Sequence, residues 1–217
     1  MSRSSRFITL TKELNRLKRQ FLPKINPPGI YYSDRQLALI IAYRVFAHAE
    51  IEAYLEDRVK KVATDAKKDW DNYRKTSRTL LSLLAFSGKV MDIPPDTLSP
   101  IAGSKKVLLE KIQLDKKIEI AVNCFMKIIN QNHGLKEANI LALLLPIGVD
   151  SSDLDLSLLV QLNTFGEQRG LVVHSSATSE RMKQPPDPVD ELNKITQITQ
   201  GLLQIDRLIN ALIKQKG

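Results

Sequence analysis

Residues 33–70 read SDRQLALIIAYRVFAHAEIEAYLEDRVKKVATDAKKDW, and their pattern is the strongest indication of the fold class. Ser33 is a residue type that caps helix N-termini, and Asp34 places a negative charge in the first turn, where the helix dipole favours it. The first half of the run is apolar nearly all round, which is typical of a buried helix. We therefore predict a long helix that begins near Ser33 and lies at the centre of the molecule.

Helical periodicity extends over the other parts of the chain as well. Aromatic residues make up 6% of the sequence and there are nine glycines, a composition that suits helices better than sheets. The sequence predicts an all-α fold with an irregular loop at residues 91–104. The further predicted helical segments are 7–24, 72–86 ending at Gly88, 105–134 closed by Gly134, 135–150 ended by Pro146, 151–176 as one or two helices, and 189–214.

Three regions are predicted along the chain: an N-terminal basic helix and linker (1–28), a helical bundle (29–183) and a C-terminal helix (184–217). The N-terminal helix is either docked on the bundle or a mobile arm that grips phosphates. The C-terminal helix packs either on the bundle or on a second chain. Its apolar seam consists of residues 189, 192, 195, 198, 202, 205, 209 and 212.

The formal net charge is +8, which favours polyanionic partners such as nucleic acid, although solubility alone also explains such a charge. Cys124 is the one cysteine and lies in an apolar helical run, so we expect a buried small side chain and no cysteine metal cluster. Nothing in these residues resembles a secretory signal, and no apolar run is long enough to span a bilayer. We expect a soluble cytoplasmic protein without a metal, a cofactor or a membrane partner.

Arg44, His48 and Glu52 follow one another at four-residue steps along the long helix, so they share one face. An unpaired buried charge is costly, and the three side chains must therefore pair or border a wet cleft. An internal Glu52–His48–Arg44 network is one interpretation. A role of Arg44 and His48 in binding or orienting a substrate is the other.

Arg169 and His174 form a second Arg/His pair, within FGEQRGLVVH (residues 165–174). Five residues correspond to about 140° around an ideal helix, so the two side chains converge only if the helix breaks near Gly170 or a second copy of the motif faces the first. Arginine suits phosphate contact, and histidine titrates near neutral pH. The pair therefore fits attack of a ribose 2′-hydroxyl on the adjacent phosphate.

The segment FGEQRGLVVHSS (165–176) resembles the signature of the HEPN superfamily, an arginine and a histidine separated by four to six residues near a helix end. The preceding stretch from residue 132, with its LLPIGV turn, is similar to the RiboL-PSP-HEPN branch. YRVFAHAEIEAYLEDRV (43–59) is similar to an early helix of that branch, which reads Ala-x-Glu-x-Leu-Glu. The resemblance covers roughly residues 34–182.

This resemblance implies a helical bundle that forms a homodimer with two motifs facing each other across a cleft. It implies a metal-independent endoribonuclease of a toxin or antiphage defence system, which leaves a 2′,3′-cyclic phosphate. Arg169 and His174 become the catalytic pair, RNA the substrate, and an antitoxin or regulatory protein a further partner. Residues expected to bind or orient the substrate are Glu167, Asn163, Ser175, Arg44 and His48.

Gly170 departs from the family pattern, because many active members carry Asn, Asp or His directly after the arginine. Some HEPN domains are non-catalytic. The second hypothesis is therefore a catalytically silent HEPN module that binds RNA, a nucleotide or a partner protein.

Overall fold

The computed structural model describes residues 2–27, 31–88, 113–174 and 186–214, and of residues 171–174 only the backbone. Within these ranges the protein is all-α, as predicted, with two 3₁₀ turns at Leu145–Ile147 and Ser151–Asp153. The α-helices of the described residues are α1 (Ser5–Phe21), α2 (Asp34–Tyr73), α3 (Arg78–Phe86), α4 (Leu114–Asn130), α5 (Glu137–Leu144), α6 (Leu156–His174) and α7 (Pro188–Lys214).

Helix α2 is the central element, and it begins where the sequence predicts. The Ser33 side chain accepts a hydrogen bond from the Gln36 amide, while the Gln36 side chain accepts one from the Ser33 amide at 2.9 Å. This reciprocal cap satisfies two backbone donors that a helix start leaves open. The 40 residues of α2 span about 60 Å. Helices α1, α3, α4, α6 and α7 all pack against this length.

The predicted helix 72–86 is wrong at its start. Helix α2 continues to Tyr73 and ends at Arg74, which adopts a left-handed backbone with a φ of 54°. A new helix begins after Ser77, whose side chain accepts a hydrogen bond from the Leu80 amide at 3.2 Å. Ser77 is the same kind of N-cap as Ser33, but apolar periodicity alone does not indicate that a helix begins there.

The predicted closure of the next helix by Gly134 is also wrong. Helix α4 ends at Asn130, and the Gln131 amide donates to the Lys127 carbonyl. The helix does not continue through Asn132. The side chain of this residue forms hydrogen bonds with residues of α2 and α5 instead. Cys124 on α4 is partly exposed rather than buried. The predicted helical residues 105–112 and the predicted loop 91–104 lie outside the described residues.

Helix α1 is docked on the bundle. Its residues Phe7, Leu10, Leu14 and Leu17 are buried, and the Phe7 ring meets the Tyr54 ring edge-on at 5.8 Å. The helix begins at Ser5 and ends at Phe21, so it starts earlier and stops earlier than the predicted segment 7–24. A docked α1 leaves its basic face on the surface of the bundle.

Helix α7 turns its apolar seam towards the rest of the chain. Ile195, Ile198, Leu202, Ile205 and Ile209 are buried in the same hydrophobic core as residues of α1 and α2. Residues of all three predicted regions therefore share one core. Within the described residues, no helix is both long enough and apolar enough to cross a membrane.

Candidate functional site

Helix α6 presents the Arg/His motif near its C-terminal end. The Asp155 side chain accepts a hydrogen bond from the Ser157 amide at 2.8 Å and so caps the helix start. The helix then continues without interruption from Leu156 to His174, and the break near Gly170 does not occur. On one regular helix Arg169 and the backbone of His174 lie about 140° apart. The side chain of His174 and the whole of Ser175 are outside the described part of the chain.

The middle of α6 lies closely on its neighbours. Phe165 is buried, and its ring centroid lies 5.6 Å from that of His48 on α2. A Cβ at Gly166 would come within 3.3 Å of the Lys136 backbone nitrogen, so glycine allows α6 to approach the start of α5. These contacts fix the face of α6 that carries Phe165 and, one turn later, Arg169.

Asn163 and Glu167 lie on a different face of α6 from Arg169. The Asn163 amide group donates to the Glu167 carboxylate at 2.9 Å, and its carbonyl oxygen accepts from the Glu137 amide at 3.4 Å. Glu167 is about 160° from Arg169 around the helix. The described geometry therefore joins Asn163 and Glu167 to each other and to α5, and it does not bring them to Arg169.

His48 lies beneath the motif helix. Its side chain is 1% exposed, and within the described residues neither ring nitrogen has a hydrogen-bond partner. The Nδ1 atom is 3.5 Å from Glu52 Oε2, a distance at which charge is felt but hydrogen-bond geometry is not met. Burial, with the positive charge of Arg169, lowers the pKa of His48 to about 4. His48 is therefore neutral at pH 7.

Glu52 is the carboxylate nearest to His48. Burial and the neighbouring Glu56 raise the pKa of Glu52, whereas Arg169, His133 and the Gly134 amide act in the opposite direction. Groups from α2, α6 and the segment after α4 therefore all act on the pKa of this one carboxyl group. The position of Glu52 lets it attract the Arg169 guanidinium.

Two asparagines hold this acidic pair in place. The side-chain amide of Asn132 donates to Glu56 Oε1 at 2.7 Å and to Glu52 Oε1 at 3.5 Å. The Asn139 amide donates to the Asn132 carbonyl oxygen at 2.9 Å. An asparagine pair thus links α5 and the segment after α4 to the α2 carboxylates.

Arg44 does not join His48, so the predicted Arg44–His48–Glu52 network is wrong in its first member. The Arg44 guanidinium instead forms two hydrogen bonds to Glu191 on α7, at 2.7 and 3.0 Å. Burial by itself would raise the pKa of Glu191, but Arg44 and Lys194 hold it below its usual range. Lys194 also donates to Gln168 at 3.1 Å, which ties α7 to the residue before Arg169.

Sequence reasoning missed Glu56, Asn132, Asn139 and Glu191. Glu56 extends the four-residue spacing of His48 and Glu52, so the sequence contained that signal. The other three reach the site from distant parts of the chain, and local spacing does not indicate them. Among the residues that the structure describes, no group of three His, Cys, Asp or Glu side chains could hold a metal ion.

The site therefore combines a half-buried arginine, a neutral buried histidine and a buttressed carboxylate beneath the motif end of α6. Such a setting keeps a guanidinium oriented without placing a second positive charge next to it. The sequence matches the RiboL-PSP-HEPN family over residues 5–211, which includes α1 and most of α7. No curated protein and no solved structure matches the chain. Since the family match covers nearly all of the sequence, the chain belongs to the RiboL-PSP-HEPN family.

Proposed function

We propose that the protein is a metal-independent endoribonuclease that cuts single-stranded or looped RNA. The observation that supports the proposal is the setting of Arg169, which lies at the motif end of an unbroken helix and close to neutral His48 and to Glu52. A structural arginine would be expected to have an ion-pair partner. Within the described residues Arg169 forms no hydrogen bond or ion pair at bonding distance, so its donors remain available for a phosphate.

In the proposed reaction, His174 removes the proton from a ribose 2′-hydroxyl while O2′ attacks the adjacent phosphorus. The bond between phosphorus and O5′ breaks, and the proton passes from His174 to the leaving O5′. Arg169 stabilises the negative charge that builds on the phosphate oxygens. The products are a 2′,3′-cyclic phosphate and a 5′-hydroxyl. His48 acts only as a positioning residue in this scheme, because it is buried. Glu52 also acts only as a positioning residue, through its attraction to Arg169.

The unbroken helix supports a homodimeric site. Since the backbone positions of Arg169 and His174 are about 140° apart around α6, we infer that the two groups acting on one phosphate come from different copies of the chain. A second copy related by a two-fold axis would supply the missing group. The family resemblance adds the expected cellular role, a toxin or antiphage defence protein whose activity an antitoxin or regulatory protein restrains.

Gly170 favours a second candidate function, a catalytically silent HEPN module that binds RNA, a nucleotide or a protein. A Cβ at Gly170 would meet nothing within 4 Å, and the residue does not have a positive φ. Neither space nor backbone conformation therefore requires glycine there. The absence of the polar residue that active relatives carry is a property of this sequence, and it would suit a chain that binds without cutting.

The test is incubation of purified protein with single-stranded RNA in EDTA, followed by analysis of the product ends. We expect fragments with 2′,3′-cyclic phosphate and 5′-hydroxyl ends. An otherwise identical oligonucleotide with one 2′-deoxy residue should remain intact at that position, because the attacking hydroxyl is missing. RNA that stays whole, or cleavage at the deoxy position, would contradict the proposal. If the protein binds the RNA tightly but does not cut it, the catalytically silent module is favoured.

A further inference from the structure

A groove runs between α1 and α7, on the side of the molecule where both helices cross the first half of α2. Its floor is apolar and contains Leu14 of α1, Leu192 and Ile195 of α7, and Tyr43 of α2. Leu14, Tyr43 and Ile195 belong to the hydrophobic core, so the groove is formed by the fold itself. An apolar floor of this kind suits a flat, uncharged ring.

Tyr43 is the unusual residue of the floor. Its side chain is 1% exposed, yet it lines the groove, and its hydroxyl has no hydrogen-bond partner within the described residues. The hydroxyl is also not among the polar atoms sealed from solvent, in contrast to the ring nitrogens of His48. Burial and the nearby Glu191 raise the pKa of Tyr43 to about 12. A neutral phenol therefore borders the groove, and no described residue engages its donor or its acceptor.

The walls are polar and uncharged. The hydroxyls of Thr11, Thr196 and Thr199 donate to backbone carbonyls of their own helices, at 2.9, 2.7 and 2.6 Å. Because their protons are engaged, these hydroxyls present acceptor lone pairs to the groove. Such acceptors suit the N–H donors of nucleobases, including the N3–H of uracil, and the 2′-hydroxyl of ribose.

Positively charged side chains lie at the α1 edge of the groove. Lys18 lines it, and Lys12 and Arg19 continue the same surface along α1. These three side chains form no ion pair with any described residue, and no carboxylate among the described residues lines the groove or its extension. This local excess of positive charge indicates a ligand that carries phosphate.

The groove also adjoins the candidate catalytic site through the first turns of α7. Leu192 and Ile195 face the groove, while Glu191 and Lys194 of the same turns bond to Arg44 and Gln168. A strand of RNA bound along α1 would thus lie across α7 from the motif helix.

We propose that the α1–α7 groove binds one nucleotide unit of single-stranded RNA, with the base on the apolar floor at Tyr43 and the phosphate at Lys18. The ligand class rests on the proposed ribonuclease function, because charge and groove shape alone would also suit a free nucleotide. The groove holds RNA away from the reacting phosphate and therefore contributes to binding rather than to the chemical step.

The experiment measures binding of a fluorescent oligouridylate to full-length His174→Ala protein, which should not cut the probe, at several salt concentrations. Lys18→Gln in this background should weaken binding severalfold and lower the salt dependence of log K by about 0.7, the share of one single-strand phosphate contact. Tyr43→Phe should weaken binding by roughly two- to tenfold with no change in salt dependence. Lys60→Gln removes an equal charge from an exposed site on α2, distant from the groove, and should have little effect.

Three results would overturn the inference: no binding of the oligouridylate, equal losses for Lys18→Gln and Lys60→Gln, or unchanged binding by Tyr43→Phe protein that melts like its parent. Cleavage assays separate this failure from that of the proposed function. If the groove binds RNA but wild-type protein cuts none, the ribonuclease proposal fails and the groove stands. If wild-type protein cuts RNA and the groove variants leave both binding and KM unchanged, the groove inference alone fails.

Discussion

Two buried polar clusters of α2 differ in how completely their charged groups are paired. At one, Asp206 of α7 is fully buried, and both of its carboxylate oxygens accept hydrogen bonds. Its donors are the backbone and hydroxyl of Ser4, the hydroxyl of Tyr54 and the amide of Asn210. Arg58 Nε lies 3.2 Å away in an ion pair without hydrogen-bond geometry. Asp206 thereby joins the start of α1 to α2 and α7.

At the other cluster, His48 and Glu52 lack this degree of pairing. Both His48 ring nitrogens lack a hydrogen-bond partner in the described part of the chain, and Glu56, Arg169 and His133 each act on the pKa of Glu52. The Asp206 cluster has the properties of a structural junction. The His48–Glu52 cluster keeps polar groups at a cost to stability, which is common where a site serves binding or catalysis.

The largest effect should follow from Asp206→Asn. The substitution keeps the shape of the side chain but leaves the buried Arg58 without its charge partner. We expect the free energy of unfolding to fall by about 3–5 kcal/mol, measured by urea denaturation. Tyr54→Phe is the matched control, since it removes one hydrogen bond to the same carboxylate and should cost about 1 kcal/mol. A loss below about 1 kcal/mol for Asp206→Asn would remove the contrast between the clusters.

The second effect concerns stability against pH at His48. The folded-state pKa of about 4 lies below the ordinary value of 6.5, so the unfolded chain takes up the proton first as the pH falls. Stability from this residue is present above pH 6.5 and is lost as the pH falls towards 4, by up to about 3 kcal/mol. His48→Phe, which keeps a ring against Phe165, should abolish this component. Parallel unfolding curves for wild type and variant from neutral pH to pH 4 would disprove it.

Glu52→Gln should differ from Asp206→Asn in the sign of its effect on stability. Because burial and Glu56 raise the pKa of Glu52, ionised Glu52 opposes folding at neutral pH. Removal of its charge should leave stability unchanged or raise it by less than about 1 kcal/mol, the reverse of Asp206→Asn. If Glu52 orients Arg169, RNA cleavage should fall by about tenfold in kcat with little change in KM. Glu56→Gln, one turn further along α2, is the matched control for the loss of one carboxylate charge. A clear loss of stability would assign Glu52 to structure.

The smallest effect should come from Gly170→Ala. Since α6 is continuous and a Cβ at this position meets nothing within 4 Å, alanine should stabilise the protein by about 0.5–1 kcal/mol. Gly201→Ala is the opposite case, because the new Cβ would lie 2.5 Å from Leu158 Cδ1. This substitution should destabilise the packing between the helices. Thermal melting of the two variants measures the contrast. Destabilisation by Gly170→Ala would indicate that the helix does bend there.

Features that short-range sequence determines were predicted well. The Ser33 cap, the central position of α2 and the apolar seam of α7 depend on neighbouring residues or on regular apolar spacing, although the spacing left open what the seam packs against. The break after Tyr73 was missed, because a serine cap competes with helical periodicity and only the cap chemistry indicates it. Asp206, Glu191 and Asn132 were also missed, since their partners lie on other helices. Tertiary contacts of this kind have no local signature.

The most direct test of the ribonuclease account is the cleavage rate in EDTA of wild type, Arg169→Ala and His174→Ala, each corrected for its folded fraction. Lys60→Gln serves as the control for handling and charge. We expect each motif variant to lose roughly 10²-fold or more in rate while retaining the oligomeric state and melting behaviour of wild type. Motif variants that cut as fast as wild type, or a wild type that cuts no RNA, would contradict the account.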